Sequence, residues 1–176
     1  MKNELEEQLK QNIARFRLPR YKEITNVGLY LEQTAKFINS YLAPLHEGEI
    51  TTSMISNYVK QGIIPNPEKK QYYTDHIAYL LFIATAKTVV SLEDLRLLIS
   101  RQKELYAIEQ AYNYFCDEFE NILFSFFGLR EKLDGLGETE SEEKDLLRNM
   151  IIAVVHKIYL DQYIAVFRQE FAAQKA

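Results

Sequence analysis

The sequence predicts a mainly helical protein with one short two-stranded hairpin, and three observations carry that expectation. Glycine (6) and proline (4) are scarce among the 176 residues, while the helix formers Leu, Glu, Lys, Gln and Ala are plentiful. Apolar residues recur at three-to-four spacing along most of the chain. The one stretch that breaks this period, residues 63–73, sets two prolines between β-prone Ile and Tyr pairs. A hydrophobic content of 47% suits a chain that buries a core, which excludes wholesale disorder. The 12 tyrosines and 10 phenylalanines point to a large buried surface, part of it available between subunits.

Residues 1–15 form a polar helical lead-in or a frayed tail. The basic stretch Arg15–Lys22 follows, interrupted by Pro19. Leu29, Leu31, Ala35, Ile38 and Leu42 predict a helix from about Gly28 to Leu45, with Pro44 helping to end it and residues 46–49 as a loop. Thr51 or Thr52 is a natural N-cap for a short helix. Ile50 packs back on it as a staple, Met54, Ile55, Tyr58 and Val59 face inward, and Gly62 closes the end. Residues 63–73 then make the hairpin, with a basic tip. Thr74 restarts helix through Ile77, Leu80, Leu81 and Ile83, and Ser91–Asp94 is a capping box for another.

That helix is expected to run from Leu92 to about Phe127. Leu105, Ile108, Tyr112, Phe115, Phe119, Ile122 and Phe126 repeat along it at 3-4-3-4-3-4, a heptad seam held for three repeats. Gly128 and the polar stretch Asp134–Lys144, with Gly135 and Gly137, break the chain. A last helix, from about Glu142 to Phe171, is apolar on nearly every side between Leu146 and Val155 and is expected to be buried from several directions. The domains are then a lead-in (1–15), an N-terminal unit of helices and hairpin (16–100) and a C-terminal helical hairpin or bundle (101–176).

Several function classes drop out. A single cysteine, Cys116, forms no intrachain disulfide and no cysteine-based zinc site. His46, His76 and His156 lack metal-ligand spacing, and His76 and His156 are read as solvated or packed. Glu118/Glu120 and Glu142/Glu143 are read as surface charges, and no phosphate loop or nucleophile motif occurs. No enzyme and no cofactor are expected. The polar N-terminus and an apolar run confined to Met150–Val155 predict a cytoplasmic protein without membrane contact. The net charge of −4 divides into +3 over residues 1–103 and −7 over 104–176. Such asymmetry fits a protein offering one end to a polyanion, or a rear half that solubilises itself with acid.

The order helix, turn, short helix, basic hairpin, helix is the layout of a winged helix-turn-helix. Thr52, Ser53, Ser56, Asn57 and Lys60 can point outward from the short helix, with Tyr58 able to offer its hydroxyl to a phosphate. Lys69, Lys70 and Gln71 would reach neighbouring backbone, and Arg20 and Lys22 add charge. An ordinary amphipathic helix with a solvated polar face has the same spacing.

The run Ser53–Pro65, then Lys69-Lys70-Gln71-Tyr72-Tyr73, resembles the MerR-type DNA-binding domain, in which a tyrosine-bearing recognition helix ends at Gly-Leu-Leu-x-Pro before the wing. Residues 77–83 and 91–99 are similar to the helices after that wing. With Leu18-Pro19-Arg20-Tyr21, residues 50–99 resemble an uncharacterised bacterial family built on this MerR-like domain, the likeness covering residues 16–100. The resemblance implies a winged helix-turn-helix and DNA contact from Ser56, Asn57, Tyr58, Lys60, Lys70 and Tyr73. This sequence departs from the pattern in having Ser56 where an arginine is usual, and in the longer stretch Tyr41–Ile50 between the first two helices. Lys60, Lys69, Lys70 and the 15–22 stretch could replace the missing charge.

In MerR-type regulators a long helix after the DNA-binding domain pairs across a dimer, and the seam from Leu105 lies where it would start. The seam is more readily read as packing within one chain against residues 146–167, which is compatible with a dimer because two such hairpins can make a four-helix bundle. The expected function is sequence-specific binding of double-stranded DNA by a homodimer that regulates transcription. The alternative is a helical protein-interaction module whose winged domain no longer binds DNA, favoured by the absent arginine and the acidic pI. The aromatic-rich rear half leaves room for an unidentified small-molecule effector, although such aromatics more often form core.

Overall fold

A computed structural model describes residues 2–45, 49–131 and 141–175; His46, Gly135 and Gly137 lie outside them. The described residues form seven α-helices: α1 (Lys2–Ala14), α2 (Leu31–Leu42), α3 (Thr52–Lys60), α4 (Thr74–Ala86), α5 (Leu92–Leu105), α6 (Ile108–Phe126) and α7 (Glu142–Lys175). The all-helical class therefore holds.

The expected lead-in is a packed helix. Leu9 and Ile13, one helical turn apart on one face of α1, are buried. Phe16 beyond them meets the edge of Phe119 on α6, ring centroids 5.7 Å apart. Helix α2 starts at Leu31, three residues after the expected start at Gly28. Leu29 exchanges two backbone hydrogen bonds with Tyr72, at 2.9 and 2.8 Å, which holds residues 28–30 extended. Gly28 permits this approach, because a Cβ there would lie 2.8 Å from the Cβ of Gln71 and 2.9 Å from the Tyr73 ring.

Thr51 caps α3, its hydroxyl accepting from the Met54 amide at 3.1 Å, and Gly62, at φ +68°, follows the helix in left-handed backbone. Helix α4 is buried on nearly all sides, with α2, α6 and α7 packed around it. Its first turn is anchored by His76. Nδ1 accepts from the Tyr73 amide and Nε2 donates to the Asn66 carbonyl, both at 3.0 Å, which ties the 65–73 segment onto the helix.

The hairpin expected over residues 63–73 is not formed. Ile63 and Ile64 are buried behind α3, and no strand occurs among the described residues. The segment reduces to a two-residue turn, Lys69–Lys70, closed by one bridge in which Glu68 and Gln71 exchange bonds of 3.0 and 2.9 Å. Pro65 and Pro67 supply no amide for a longer ladder.

The long helix expected from Leu92 to Phe127 is two helices. Ser91 caps α5 as foreseen, but Tyr106 and Ala107 are extended (φ, ψ of −142°, 143° and −61°, 145°). The Gln102 amide donates to the freed Tyr106 carbonyl at 2.7 Å. The break turns α6 so that it lies between α4 and α7. Helix α7 spans 34 residues, about 51 Å. It buries one face, through Met150, Ile151, Val154, Val155 and Ile158, rather than several directions; Leu146 and Ile152 are exposed. By length and composition α7 could cross a membrane, although Lys157 and Asp161 interrupt it and its inner face is covered by the protein's own core.

Candidate nucleic-acid interface

Helix α3 stands on α2 with Ile55 and Tyr58 turned into the core. Its other side exposes Ser53, Ser56, Lys60 and Gln61, with Thr52 and Asn57 half-buried. The Gln61 amide donates to the Asn57 oxygen at 3.1 Å, one turn apart, so these two side chains present themselves as a unit. Lys69 and Lys70, both exposed, carry φ values of +49° and +66°. Two successive residues in this left-handed region belong to mirror-image hairpin turns, where Asn-Gly is the favoured pair and lysine is disfavoured. Among the described residues no ion pair involves Lys60, Lys69 or Lys70. Lys70 also lines a shallow cleft with Tyr30 and Gln33 at the start of α2.

Several anticipated contact residues have other tasks. Tyr58 is 2% exposed and burial raises its pKa, so its ring is core and its hydroxyl does not share the face of Ser56 and Lys60. At spacing i, i+3 from Ile55 it falls on the same inward side. Tyr73 is half-buried and donates to the Gln71 side-chain oxygen at 3.1 Å, engaging both residues with each other.

Arg20 is withdrawn from any ligand surface. Its guanidinium grips Glu120 of α6 bidentately, at 2.9 and 2.8 Å, and reaches Asp117 at 2.8 Å; its pKa is raised, first by the hydrogen bond to Glu120. The Leu18 amide donates to Glu120, the Tyr112 hydroxyl to the Pro19 carbonyl, and the Tyr21 amide to Asn113. The basic stretch thus clamps the N-terminal segment onto α6, and Lys22, highly exposed, sits 3.5 Å from Glu109. The clamp residues on α6 were not found from sequence. They lie about a hundred positions from their partners, and no local pattern links them. Glu118 and Glu120 are accordingly buried rather than surface charges, Glu118 pairing with Arg148 at 2.6 Å. Lys87, just after α4, reaches the Met54 sulfur on α3 at 4.0 Å.

The expected dimer seam is occupied within the chain. Tyr112, Phe115, Phe119 and Ile122 are buried, Phe115 against Phe82 of α4 at 5.2 Å. Ile108 is half-buried, Leu105 belongs to α5, and Phe126 packs on His156 and Tyr159 of α7. α4 and α7 together cover the middle of the seam, from Tyr112 to Ile122, and leave only its two ends, Leu105 and Phe126, partly exposed.

Fold and site together define a mainly helical protein with a continuous core, with Lys60 exposed on α3 and Lys69 and Lys70 exposed on the turn that follows it. The chain belongs to the family described as a domain of unknown function (DUF1836), whose model matches residues 19–115, more than half of the chain. No curated protein and no solved structure matches it. The likeness to MerR-type domains is corrected by these findings. The match is to DUF1836 and not to a MerR-type or helix-turn-helix family, and the wing strands are not formed among the described residues. The matched span ends inside α6, just past Tyr112 and Asn113, which hold Pro19 and Tyr21 at its other end.

Proposed function

We propose that the protein binds double-stranded DNA as a dimer and regulates transcription, with the outer face of α3 and the Lys69–Lys70 turn as its contact surface. The observation that carries this reading is the pair of exposed lysines held in left-handed backbone. Strain of this kind persists where function selects the side chain, and two cations projecting from a tight turn suit phosphate contacts. Ser53, Ser56, Asn57 and Gln61 supply the short polar groups that read base edges, on a helix narrow enough for a major groove.

Dimer formation is assigned to α7 in place of the buried seam. Leu160, Ile164, Phe167 and Phe171 repeat at 4-3-4 and are 53%, 44%, 44% and 64% exposed. This is a heptad stripe of a few hundred Å2, a size that marks contact surfaces. A second copy offers the same stripe at the same period, and a symmetric pair predicts a palindromic site.

Anisotropy titration with random duplex DNA at low salt tests the proposal, followed by sequencing of genomic fragments retained by the protein. Saturable binding that weakens steeply with salt, and recovery of a palindrome, are expected. A protein that ignores duplexes in dilute buffer refutes the reading. That result would favour a helical interaction module, which the withdrawal of Arg20 and Tyr58 from the cationic surface supports.

A further inference from the structure

A cavity of about 250 Å3 lies between α4, α5, α6 and α7, away from the candidate DNA surface and open to solvent at one end. Its wall is almost wholly apolar, and Phe82, Leu98, Phe115, Leu147 and Met150 are among the residues that line it. Close packing is the rule in protein interiors, and a void this large and apolar holds water poorly. Two features keep it open. Alanines, Ala78 on α4 and Ala111 on α6, stand where longer side chains would fill the space. Gln102 braces the wall, accepting from the Tyr79 hydroxyl at 3.2 Å while donating to the Tyr106 carbonyl at the α5–α6 break.

The rim is polar and holds one guanidinium, that of Arg101, which is more than half exposed. Arg101 of α5 meets Glu104 of its own helix at 3.2 Å and Glu143 of α7 at 3.4 Å, and Lys144 lies over the Tyr114 ring, 5.1 Å from its centroid. Both ion pairs are exposed and therefore weak, so an anion arriving there can share Arg101 with Glu104 and Glu143, whereas a cation meets carboxylates already engaged by Arg101.

We propose that this cavity is a binding site for a small amphipathic anion, an apolar chain or ring of about ten heavy atoms with one carboxylate-type head at Arg101. The size follows from scale, since a dry cavity of about 150 Å3 accepts benzene. The proposal stands on the cavity alone and does not depend on DNA binding.

Calorimetric titration of the full chain with monomeric decanoate, decanol and decylammonium tests it. Decanoate is expected to bind one to one and more tightly than decanol, with decylammonium weakest. Arg101→Gln should weaken decanoate about tenfold and leave decanol unchanged. Ala111→Leu should abolish binding of both while the melting temperature holds or rises; should that variant not fold, Leu98→Phe fills the space from the facing wall. Absence of saturable binding by decanoate, unchanged affinity in the filled variant, or decylammonium binding as tightly as decanoate overturns the assignment.

Discussion

Lys69→Asn combined with Lys70→Gly separates stability from function at the turn, because the two effects have opposite signs. Both lysines occupy left-handed backbone, which costs an ordinary side chain roughly 1 kcal/mol per residue; asparagine tolerates the region and glycine is unrestrained there. Relief of about 2 kcal/mol is expected, a rise of roughly 4–8 °C in melting temperature for a chain of this size. If the protein binds DNA as proposed, each chain would offer the exposed Lys60, Lys69 and Lys70 to phosphates, six cations in a dimer. The slope of log affinity against log salt should then be about −5, falling to about −2 when only the two Lys60 side chains remain. Raising salt from roughly 50 to 200 mM would cost the natural protein about a thousandfold in affinity and the variant about tenfold. Thermal melts monitored by circular dichroism read the first quantity and anisotropy at several salt concentrations the second. A variant no more stable than the parent refutes the strain assignment. A stabilised variant with an unchanged salt slope refutes the turn as a phosphate contact.

Arg20→Met strands the buried Glu120 carboxylate without its bidentate partner and should cost about 3 kcal/mol, lowering the melting temperature by roughly 6–12 °C. Ile164→Asp with Phe167→Asp should give a monomer in sedimentation analysis while the melting transition of the core persists. A dimer that survives both charges removes α7 from the interface. Burial pushes the Cys116 thiol up to about 12, so a disulfide reagent should leave it untouched at about pH 8 and react fully once the chain unfolds. Tyr79, by burial, and Tyr21, by burial and its hydrogen bond to Asp75, are pushed up to about 12. The folded chain holds these protons more tightly than the unfolded one. Their stabilisation is therefore complete below the ordinary tyrosine value near 10 and is lost as pH rises through 12. Tyrosinate absorbance should climb late and together with loss of helicity; early titration of all tyrosines would contradict their burial.

Local chemistry in the sequence sufficed for the helical class, for the caps at Thr51 and Ser91, for the turn at Gly62 and for the inward placement of Ile55. Each depends on residues within a few positions of one another, where spacing and side-chain type act directly on the backbone. Local patterns misled where two structures satisfy one period. The 3-4 repeat from Leu105 to Phe126 reads as a continuous seam, yet the helix breaks at Tyr106–Ala107 with no glycine or proline to signal it. β-Prone Ile and Tyr pairs suggested strands, but Ile63 and Ile64 went into the core behind α3 instead.

What the amino-acid order determined alone is the set of helices, their caps and the identity of the cations. Tertiary structure decided which of those cations face solvent and which apolar stripe is left uncovered. Arg20 became a clamp because Glu120, a hundred residues away, lies beneath it, while Lys69 and Lys70 stayed outside on a turn too tight to fold them back. Most of the seam on α6 was covered because α4 and α7 pack on it, and the stripe on α7 was not because it lies on the face opposite the one that Ile158, Gln162, Tyr163 and Val166 turn to the core. Burial and charge pairing depend on what arrives from far along the chain, and spacing within a segment carries no record of that.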